Sequence, residues 1–447
     1  FFIYPYCPLL IINSFLFLPA IIKSAIGKPQ KTTNRKHARM RSTSTTGAPH
    51  QAQRGSPDEK STFPSDHFAS NVFGVDQIKR HLPKPMFSDF LSLINDGKPL
   101  KAEVADAVAH AARIWAMEKG ATHFTHWFQP INGSTAEKHD SFLSFAYTFN
   151  GTAMEPKPID AFSGSQLVQA EPDASSFPNG GMRNTFEARG YTVWDTTSAM
   201  FVREGALGTF VLYIPSVFIS YNGEALDEKT VLLRSSQALS RSAVHLLRTL
   251  GDHRTKSVHV NLGVEQEFFL VDEANHNARP DLQQTGRTLV GRCPPKTQQL
   301  SDHYFGSIPT RVLAAITDAE QELLKLGVPI KTRHNEVAPA QFEMAPVFEE
   351  AHVAVDHNLL TMSVLHSAAR KHGLVALFHE KPFRGVNGSG KHCNWSMSTN
   401  EGKNLLEPGQ EPKDNIQFLC FLVATILAVH DYATLLRASI ASCSNEH

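Results

Sequence analysis

The most suggestive residues in this sequence are two glutamates on one strand-like segment. Glu265 and Glu267 lie in the run GVEQEFFLV, and side chains two positions apart on a strand share a face. Two adjacent carboxylates on an otherwise apolar strand repel each other and are costly to bury unless a cation lies between them. The pair therefore predicts either a cation site or a solvated strand face.

A second pair of carboxylates flanks a proline. Glu336 and Glu343 belong to the segment HNEVAPAQFE, and their odd spacing would make them face opposite ways on one straight strand. Pro339 cannot donate to a strand ladder and indicates a bend. The bend would let both carboxylates reach one point; two unrelated surface glutamates are the alternative.

A glycine-rich loop followed by a polar strand is the third feature. Residues 385–398 read GVNGSGKHCNWSMS, which approaches the phosphate-loop pattern GxxxxGK[ST]. His392 replaces the required hydroxyl residue, and the following alternation is typical of a strand instead of a helix. We therefore interpret the phosphate-loop match as coincidental. On a strand, His392, Asn394 and Ser396 would line one face.

Together these segments supply four carboxylates, one imidazole and a row of polar side chains. Oxygen-rich ligation with one histidine suits Mg²⁺ or Mn²⁺ better than zinc. A pair of divalent ions beside a polar face predicts phosphoryl transfer, where neutralising phosphate charge is the main task.

The elements that carry these groups are mixed strands and helices without strict βαβ alternation, which predicts an α+β fold with a largely antiparallel sheet. Residues 150–190, rich in Gly, Pro, Ser and Asp, are predicted to be an ordered loop region. The apolar segment 415–441 contains charged residues and is predicted to be a core helix instead of a membrane span. The other predicted helices are 100–120, 230–251, 310–327 and 349–373, and the predicted strands are 142–149, 258–271, 374–380 and 391–399, with two short extended segments in 328–348.

Charge and cysteine content exclude several classes of protein. The chain of 447 residues has 43 basic and 43 acidic side chains. Residues 1–57 contain eight of the bases and no acid, which leaves a net charge of −8 for residues 58–447. A body of that sign is a poor partner for nucleic acid or an anionic membrane. Five cysteines without a CxxC pair argue against a disulfide framework or a cysteine-type zinc site and favour a reducing compartment, the cytoplasm.

The first 65 residues are expected to contribute little to the fold. Residues 1–22 are uncharged and apolar, and a basic Ser/Thr-rich stretch follows. Three interpretations stay open: upstream sequence with Met40 as the true start, a transit peptide, or a membrane anchor. If residues 1–57 form a transit segment, the compartment becomes a mitochondrion or plastid.

The order of the motifs, ExE on a strand, then HxEVAPxQxE, then NGSGxHCxxS, resembles glutamine synthetase over about residues 66–447. Residues 166–183, which include EPDASSFPNGGMR, resemble its type III branch. The resemblance implies a β-grasp-like N-terminal domain at 66–255 and a catalytic domain at 256–447, an antiparallel sheet backed by helices. The family has a further arginine segment and a last metal-binding glutamate beyond this point, so we expect the 447-residue polypeptide alone to be inactive.

The resemblance also assigns roles to matching residues. Glu267, Glu336 and Glu343 would hold one metal ion, and Glu265 and His392 a second. Glu336, Glu343 and His392 are the implied catalytic residues. The family's DGSS motif aligns loosely with residues 162–165, where its aspartate is absent, so the ammonium-site acid is not identified. The remaining implied contacts are Asn387, Gly388 and Asp173 with the substrate, and Asn394 and Ser396 with ATP.

The implied reaction is ATP-dependent ligation of ammonia to L-glutamate through γ-glutamyl phosphate. It would use two or more Mg²⁺ or Mn²⁺ ions per site, in a homo-oligomer, a dodecamer with sites between subunits. Two alternatives stay open: a γ-glutamyl ligase for another amine, and a non-catalytic relative. The second alternative predicts lost metal ligands, whereas all five matching positions are present here.

Overall fold

The computed structural model describes residues 64–130, 134–149, 154–171, 190–293, 295–298 and 303–439. Asp173 and almost all of residues 1–65 lie outside these residues. The helices of the N-terminal half are α1 (Pro64–His67), α2 (Val75–His81), α3 (Lys84–Asp96), α4 (Ala102–Glu118) and α5 (Gly164–Val168). Its strands are β1 (Val72–Phe73), β2 (Ala121–Trp127), β3 (Asp140–Ser141), β4 (Leu143–Phe149), β5 (Met154–Asp160), β6 (Gln169–Ala170), β7 (Gly190–Trp194), β8 (Met200–Glu204) and β9 (Phe210–Ser220).

The C-terminal half begins with a long helix and contains the predicted motifs. Its helices are α6 (Glu228–Thr249), α7 (Glu273–Asn277), α8 (Pro280–Thr285), α9 (Thr310–Lys325), α10 (Ala351–Lys371), α11 (Ile416–Asp431) and α12 (Ala433–Ala438). Its strands are β10 (Val258–Asp272), β11 (Ile330–Asn335), β12 (Gln341–Pro346), β13 (Glu349–Glu350), β14 (Leu374–Leu377) and β15 (Lys391–Thr399).

The N-terminal sheet has seven strands, in the order β1-β8-β9-β2-β3 with β7 beside β9 and β6 beside β7. Strands β2 and β9 are parallel, and the other pairs are antiparallel. Helix α4 packs on this sheet because Val104, Val108, Ala112 and Trp115 recur at helical spacing and are all buried.

The C-terminal sheet is built around β10, which pairs antiparallel with β12, β13, β14 and β15, while β11 pairs with β12. Alternation along β10 separates its two faces. Val260 and Leu262 pack against helices α6, α9 and α10 in the main core cluster. Glu265 and Glu267 occupy the opposite face. The predicted α+β fold, with largely antiparallel sheets backed by helices, is confirmed.

Two predicted elements differ in the structure. Residues 154–160, part of the segment 150–190 that was predicted to be a loop region from its Gly, Pro, Ser and Asp content, form β5 of a hairpin with β4. The predicted helix 415–441 is divided at Tyr432 into α11 and α12, and only Phe421, Ala424 and Ala428 of α11 are fully buried. Across the described ranges, no helix has both the length and the hydropathy to cross a bilayer.

A buried ion-pair cluster joins the two halves. Lys229 Nζ of α6 lies 3.0 Å from Asp195 Oδ2, which follows β7, and 2.6 Å from Asp356 Oδ2 of α10. Burial alone would raise the pKa of Asp195, but the ammonium of Lys229 holds that pKa below its usual range. Burying these three charges costs desolvation energy, which their mutual attraction offsets. Removing the cation of Lys229 alone would leave two buried carboxylates without a counter-charge and would destabilise the protein.

Candidate active site

Strand register brings the predicted carboxylates and His392 together. Glu265 on β10 is directly opposite His392 on β15, and Glu267 is directly opposite Glu343 on β12. Directly opposed residues of an antiparallel pair project from the same face. Gln266 points to the other face, where Asn358 Nδ2 of α10 donates to its Oε1 at 3.1 Å.

The bend predicted at Pro339 is present between β11 and β12. His334 pairs with Glu343, and the Glu336 N–H donates to the Gln341 carbonyl at 2.8 Å. The chain reverses direction between Glu336 and Glu343. The two glutamates are therefore neighbours across the turn, and their odd spacing does not place them on opposite faces of the sheet.

One group of possible ligand atoms comes from Glu265, Glu343 and His392, all within 4.8 Å of one another. His392 Nδ1 lies 3.1 Å from Glu265 Oε2, and His392 Nε2 lies 4.0 Å from Glu267 Oε1. A second group comes from His334, Glu336 and Glu343, again within 4.8 Å. Glu343 belongs to both groups, so the two form one continuous cluster.

Two residues of this cluster were not predicted as site residues. His334 Nε2 lies 3.1 Å from Glu343 Oε1, and its position two residues before Glu336 on a strand was a usable signal. Tyr304 donates its hydroxyl to Glu336 Oε2 at 2.8 Å. Tyr304 lies in a loop about 30 residues upstream, and no periodicity or motif connects it with Glu336.

Three of the carboxylates are almost completely buried, which is rare for glutamate side chains unless they are paired with a positive charge. Glu267, Glu336 and Glu343 are 4%, 4% and 5% exposed. Burial, together with the charges of Glu336 and Glu343, raises the pKa of Glu267 to about 7, although the Gly390 N–H and His392 oppose the rise. Burial and the charges of Glu265 and Glu336 also raise the pKa of Glu343.

These raised pKa values mean that the cluster binds positive charge strongly, either as protons or as metal ions. Carboxylate oxygens with one or two imidazoles are the donor set that Mg²⁺ and Mn²⁺ accept. The residues present therefore fit a pair of hard divalent cations.

The glycine-rich loop is fixed to the carboxylate cluster. The Gly390 N–H donates to Glu267 Oε2 at 2.9 Å, and Gln341 Nε2 donates to the Gly388 carbonyl at 2.8 Å. A Cβ at Gly388 would lie 2.2 Å from the Glu380 carbonyl oxygen, so only glycine fits there. Asn387 Oδ1 accepts a hydrogen bond from Gln298 Nε2 at 3.1 Å.

The polar row on β15 continues from the cluster along the same face. Asn394 Nδ2 donates to Glu265 Oε1 at 2.6 Å. Asn261 Nδ2 of β10 lies 3.4 Å from Ser396 Oγ and 2.9 Å from Ser398 Oγ. The cluster therefore opens onto a strip of amide and hydroxyl groups that could hydrogen-bond a polar substrate.

Residues 162–165, the loose match to DGSS, lie in the N-terminal half. The Ser163 side chain caps α5, where its Oγ accepts from the Gln166 N–H. The Gly164 N–H donates to Asp106 Oδ1 at 2.7 Å. Residues 162–165 therefore lie at the start of helix α5, and Gly164 binds to Asp106. Neither contact assigns an acidic residue to an ammonium site.

Two family profiles match most of the chain. The profile described as glutamine synthetase type III N terminal matches residues 64–235. The profile described as glutamine synthetase, catalytic domain, matches residues 241–443.

Known proteins are similar over the same region. The chain is 50% identical over 383 residues to the type-3 glutamine synthetase of Dictyostelium discoideum, covering 86% of this chain and 51% of that protein. It is 51% identical over 383 residues to a glutamine synthetase of Bacteroides fragilis (strain YCH46), again covering 86% of this chain and 51% of the relative. The chain thus spans about half the length of these relatives. A solved Plasmodium falciparum glutamine synthetase is similar with a TM-score of 0.45 and 17% identity, covering 66% of this chain and 54% of that one.

The family expected from the order of three motifs is confirmed by the two profiles and by the sequence relatives. The N-terminal profile covers the segment whose PDASS-containing run suggested the type III branch. The catalytic profile covers the carboxylates and His392. The chain therefore belongs to the glutamine synthetase family, in its type III branch.

Proposed function

We propose that the protein is a glutamate–ammonia ligase, which forms glutamine from L-glutamate and ammonia with ATP. The observation that carries this proposal is the convergence of Glu265, Glu267, Glu336, Glu343 and His392 on one face of the C-terminal sheet. In the type III family this sheet belongs to the catalytic domain, which we assign to residues 256–447, after an N-terminal domain at 66–255.

The cluster would hold two or more Mg²⁺ or Mn²⁺ ions. Glu267, Glu336 and Glu343 would bind one ion, and Glu265 and His392 another. When bound, the ions would neutralise phosphate charge between the nucleotide and the acceptor. Tyr304 and His334 would orient Glu336 and Glu343, since each lies within hydrogen-bonding distance of one carboxylate.

The reaction would proceed in two steps, phosphoryl transfer to glutamate and then displacement of phosphate by ammonia. The γ-carboxylate oxygen of glutamate takes the terminal phosphoryl group of ATP, which leaves ADP and γ-glutamyl phosphate. The nitrogen of ammonia then attacks the acyl carbon, phosphate leaves with the bonding electrons, and the attacking nitrogen releases one proton to phosphate or solvent, which gives the amide of glutamine. Water would destroy the intermediate, so the site must be enclosed during turnover.

The chain's own residues would bind the substrates around this chemistry. Asn387 and Gly388 would contact glutamate, and Asn394 and Ser396 would contact ATP. The loop hydrogen bonds from Gln341 and to Glu267 support this assignment, because they fix the glutamate-contacting loop relative to the carboxylates. Asp173 would also contact the substrate and help to order the site, and Glu336, Glu343 and His392 would be the catalytic residues.

We further propose that the protein is a homo-oligomer, a dodecamer with active sites between subunits, and that it acts in the cytoplasm. The five cysteines without a CxxC pair support a reducing compartment. An organellar location would depend on residues 1–57, which lie outside the described part of the chain.

The test is an assay of the full-length protein with ATP, L-glutamate and either ammonium or polyamines. We expect phosphate release that requires glutamate, ammonium and a divalent ion. Glu343→Gln should abolish it, whereas Glu118→Gln, at an exposed position of α4, should leave it unchanged. Activity with polyamines alone would favour a ligase for another amine. No activity with any amine, in a folded full-length protein, would favour a non-catalytic relative.

A further inference from the structure

The hairpin of β4 and β5 stands apart from both large sheets. Its strands pair with each other over their whole length, from Leu143 opposite Asp160 to Phe149 opposite Met154, and form a separate two-stranded sheet. Its base is fixed to the N-terminal half, since Arg113 Nη1 donates to the Asp160 carbonyl at 2.6 Å. A lone two-stranded sheet is marginally stable in water, so this hairpin gains from a surface that covers it.

The two faces of the hairpin differ sharply in composition. Alternation along β4 and the cross-strand register define one face, which we call the hairpin face. The hairpin face consists of Leu143, Phe145, Tyr147, Phe149, Met154, Pro156 and Pro158. The opposite face consists of Ser144, Ala146, Thr148, Glu155, Lys157 and Ile159. Apart from Asp160 at the base, the described part of the hairpin face carries no charge.

The hairpin face is large and open. Its five largest side chains, Leu143, Phe145, Tyr147, Phe149 and Met154, are between 51% and 68% exposed. An aromatic side chain offers about 150–250 Å², so these five together expose roughly 500–600 Å². The largest apolar patch on a typical monomer is about 300–600 Å², and one side of a standard interface is about 800 Å². The hairpin face would therefore provide most of the area that one partner contributes to such an interface.

Contact through the strand edge is disfavoured at β5. Pro156 and Pro158 have no N–H, and because the ladder with β4 is continuous, the missing donors lie on the outer edge. Another strand could not extend the ladder there. On the β5 side of the hairpin, a partner must therefore pack on the face instead of on the strand edge.

We propose that the hairpin face is a contact surface for a second copy of this chain. An uncharged face gives no attraction for nucleic acid or a charged partner. An apolar face of this size promotes aggregation when open, so it needs a partner that is always present. A second copy meets that condition, and most soluble oligomers consist of identical chains. The inference rests on the homo-oligomer of the proposed function, whose subunit contacts it identifies, but not on ligase activity.

The direct test compares two double variants of the full-length protein. Tyr147→Asp/Phe149→Asp places two charges on the hairpin face, and Ser144→Asp/Thr148→Asp places two on the opposite face of the same strand. Mass photometry and sedimentation should show the first variant dissociating at concentrations at least a hundredfold higher than wild type, with the second unchanged. Wild-type mass in the first variant, or the same loss in both, would overturn the inference.

A labelling experiment covers the case in which the charged variants misfold. Single variants Tyr147→Cys and Thr148→Cys sit on the hairpin face and on the opposite face. In the assembled, purified protein, we expect maleimide to modify residue 147 at least tenfold more slowly than residue 148, with the difference lost on dilution to monomers. Equal rates would overturn the inference, as would protection that appears only after another protein is added. Assembly without ligase activity would contradict the proposed function alone.

Discussion

Replacing Glu267 by glutamine should make the metal-free protein more stable at neutral and alkaline pH. The substitution removes one buried negative charge beside Glu336 and Glu343, while the amide oxygen can still accept the Gly390 N–H that now donates to Glu267 Oε2 at 2.9 Å. The same substitution should abolish stabilisation by Mg²⁺, because a neutral amide is a weak ligand for a hard cation.

The magnitude follows from the pKa of Glu267, which burial and its neighbours raise from 4.5 to about 7. Between these values the folded protein keeps a proton that the unfolded chain has released, so the free energy of unfolding falls as pH rises through that window. At 1.36 kcal/mol per pKa unit, the loss is about 3 kcal/mol above pH 7. The free energy of unfolding of wild type is lowered by this amount above pH 7, whereas that of Glu267→Gln is not, because glutamine does not ionise.

Chemical denaturation with a chelator, at pH 5 and pH 8, measures this effect. The variant should be within about 1 kcal/mol of wild type at pH 5 and should exceed it by about 3 kcal/mol at pH 8. The exposed control Glu118→Gln should differ by less than about 0.5 kcal/mol at both pH values. A variant no more stable than wild type at pH 8, or an advantage independent of pH, would refute the electrostatic reasoning.

Three further substitutions test other parts of the account. Tyr304→Phe removes the hydroxyl that donates to Glu336 and should weaken Mg²⁺ binding about tenfold in a thermal-shift titration; unchanged affinity would deny Tyr304 a positioning role. Lys229→Met leaves two buried aspartates without their cation and should cost about 3–5 kcal/mol in urea denaturation, so a loss below 1 kcal/mol would contradict the cluster's burial. Gly388→Ala forces a Cβ against the Glu380 carbonyl and should reduce ligase activity at least tenfold in a folded protein; full activity would show that the loop adapts.

Much of the site could be predicted from the sequence because strand alternation is a local periodicity. Glu265 and Glu267 share a face by alternation alone, and Pro339 indicated the reversal that joins Glu336 and Glu343. Strand pairing, by contrast, cannot be read from local periodicity. The placement of His392 opposite Glu265 depends on β15 lying beside β10, across more than 120 residues of chain. Only the family resemblance assigned these two residues to the same metal ion.

The missed features share a physical cause: each depends on packing that local sequence does not encode. Tyr304 reaches Glu336 from a loop, and Lys229 meets Asp356 only after the two halves dock. Strand β5 lies in the Gly-, Pro-, Ser- and Asp-rich segment 150–190 that was predicted to be a loop region, yet prolines are compatible with the outer edge of a strand. The division of the predicted C-terminal helix at Tyr432 likewise had no proline or glycine to indicate it.

We propose that four carboxylates and one imidazole converge to bind a pair of divalent cations. Glu343 belongs to both groups of possible ligand atoms, so its loss should affect both ions. Calorimetric titration of the chelator-treated full-length protein with Mn²⁺, paired with electron paramagnetic resonance, measures the number of bound ions and their spin coupling. We predict at least two coupled ions per chain in wild type and none at comparable affinity in Glu343→Gln; a single uncoupled ion in wild type, or binding unaffected by Glu343→Gln, would contradict the claim.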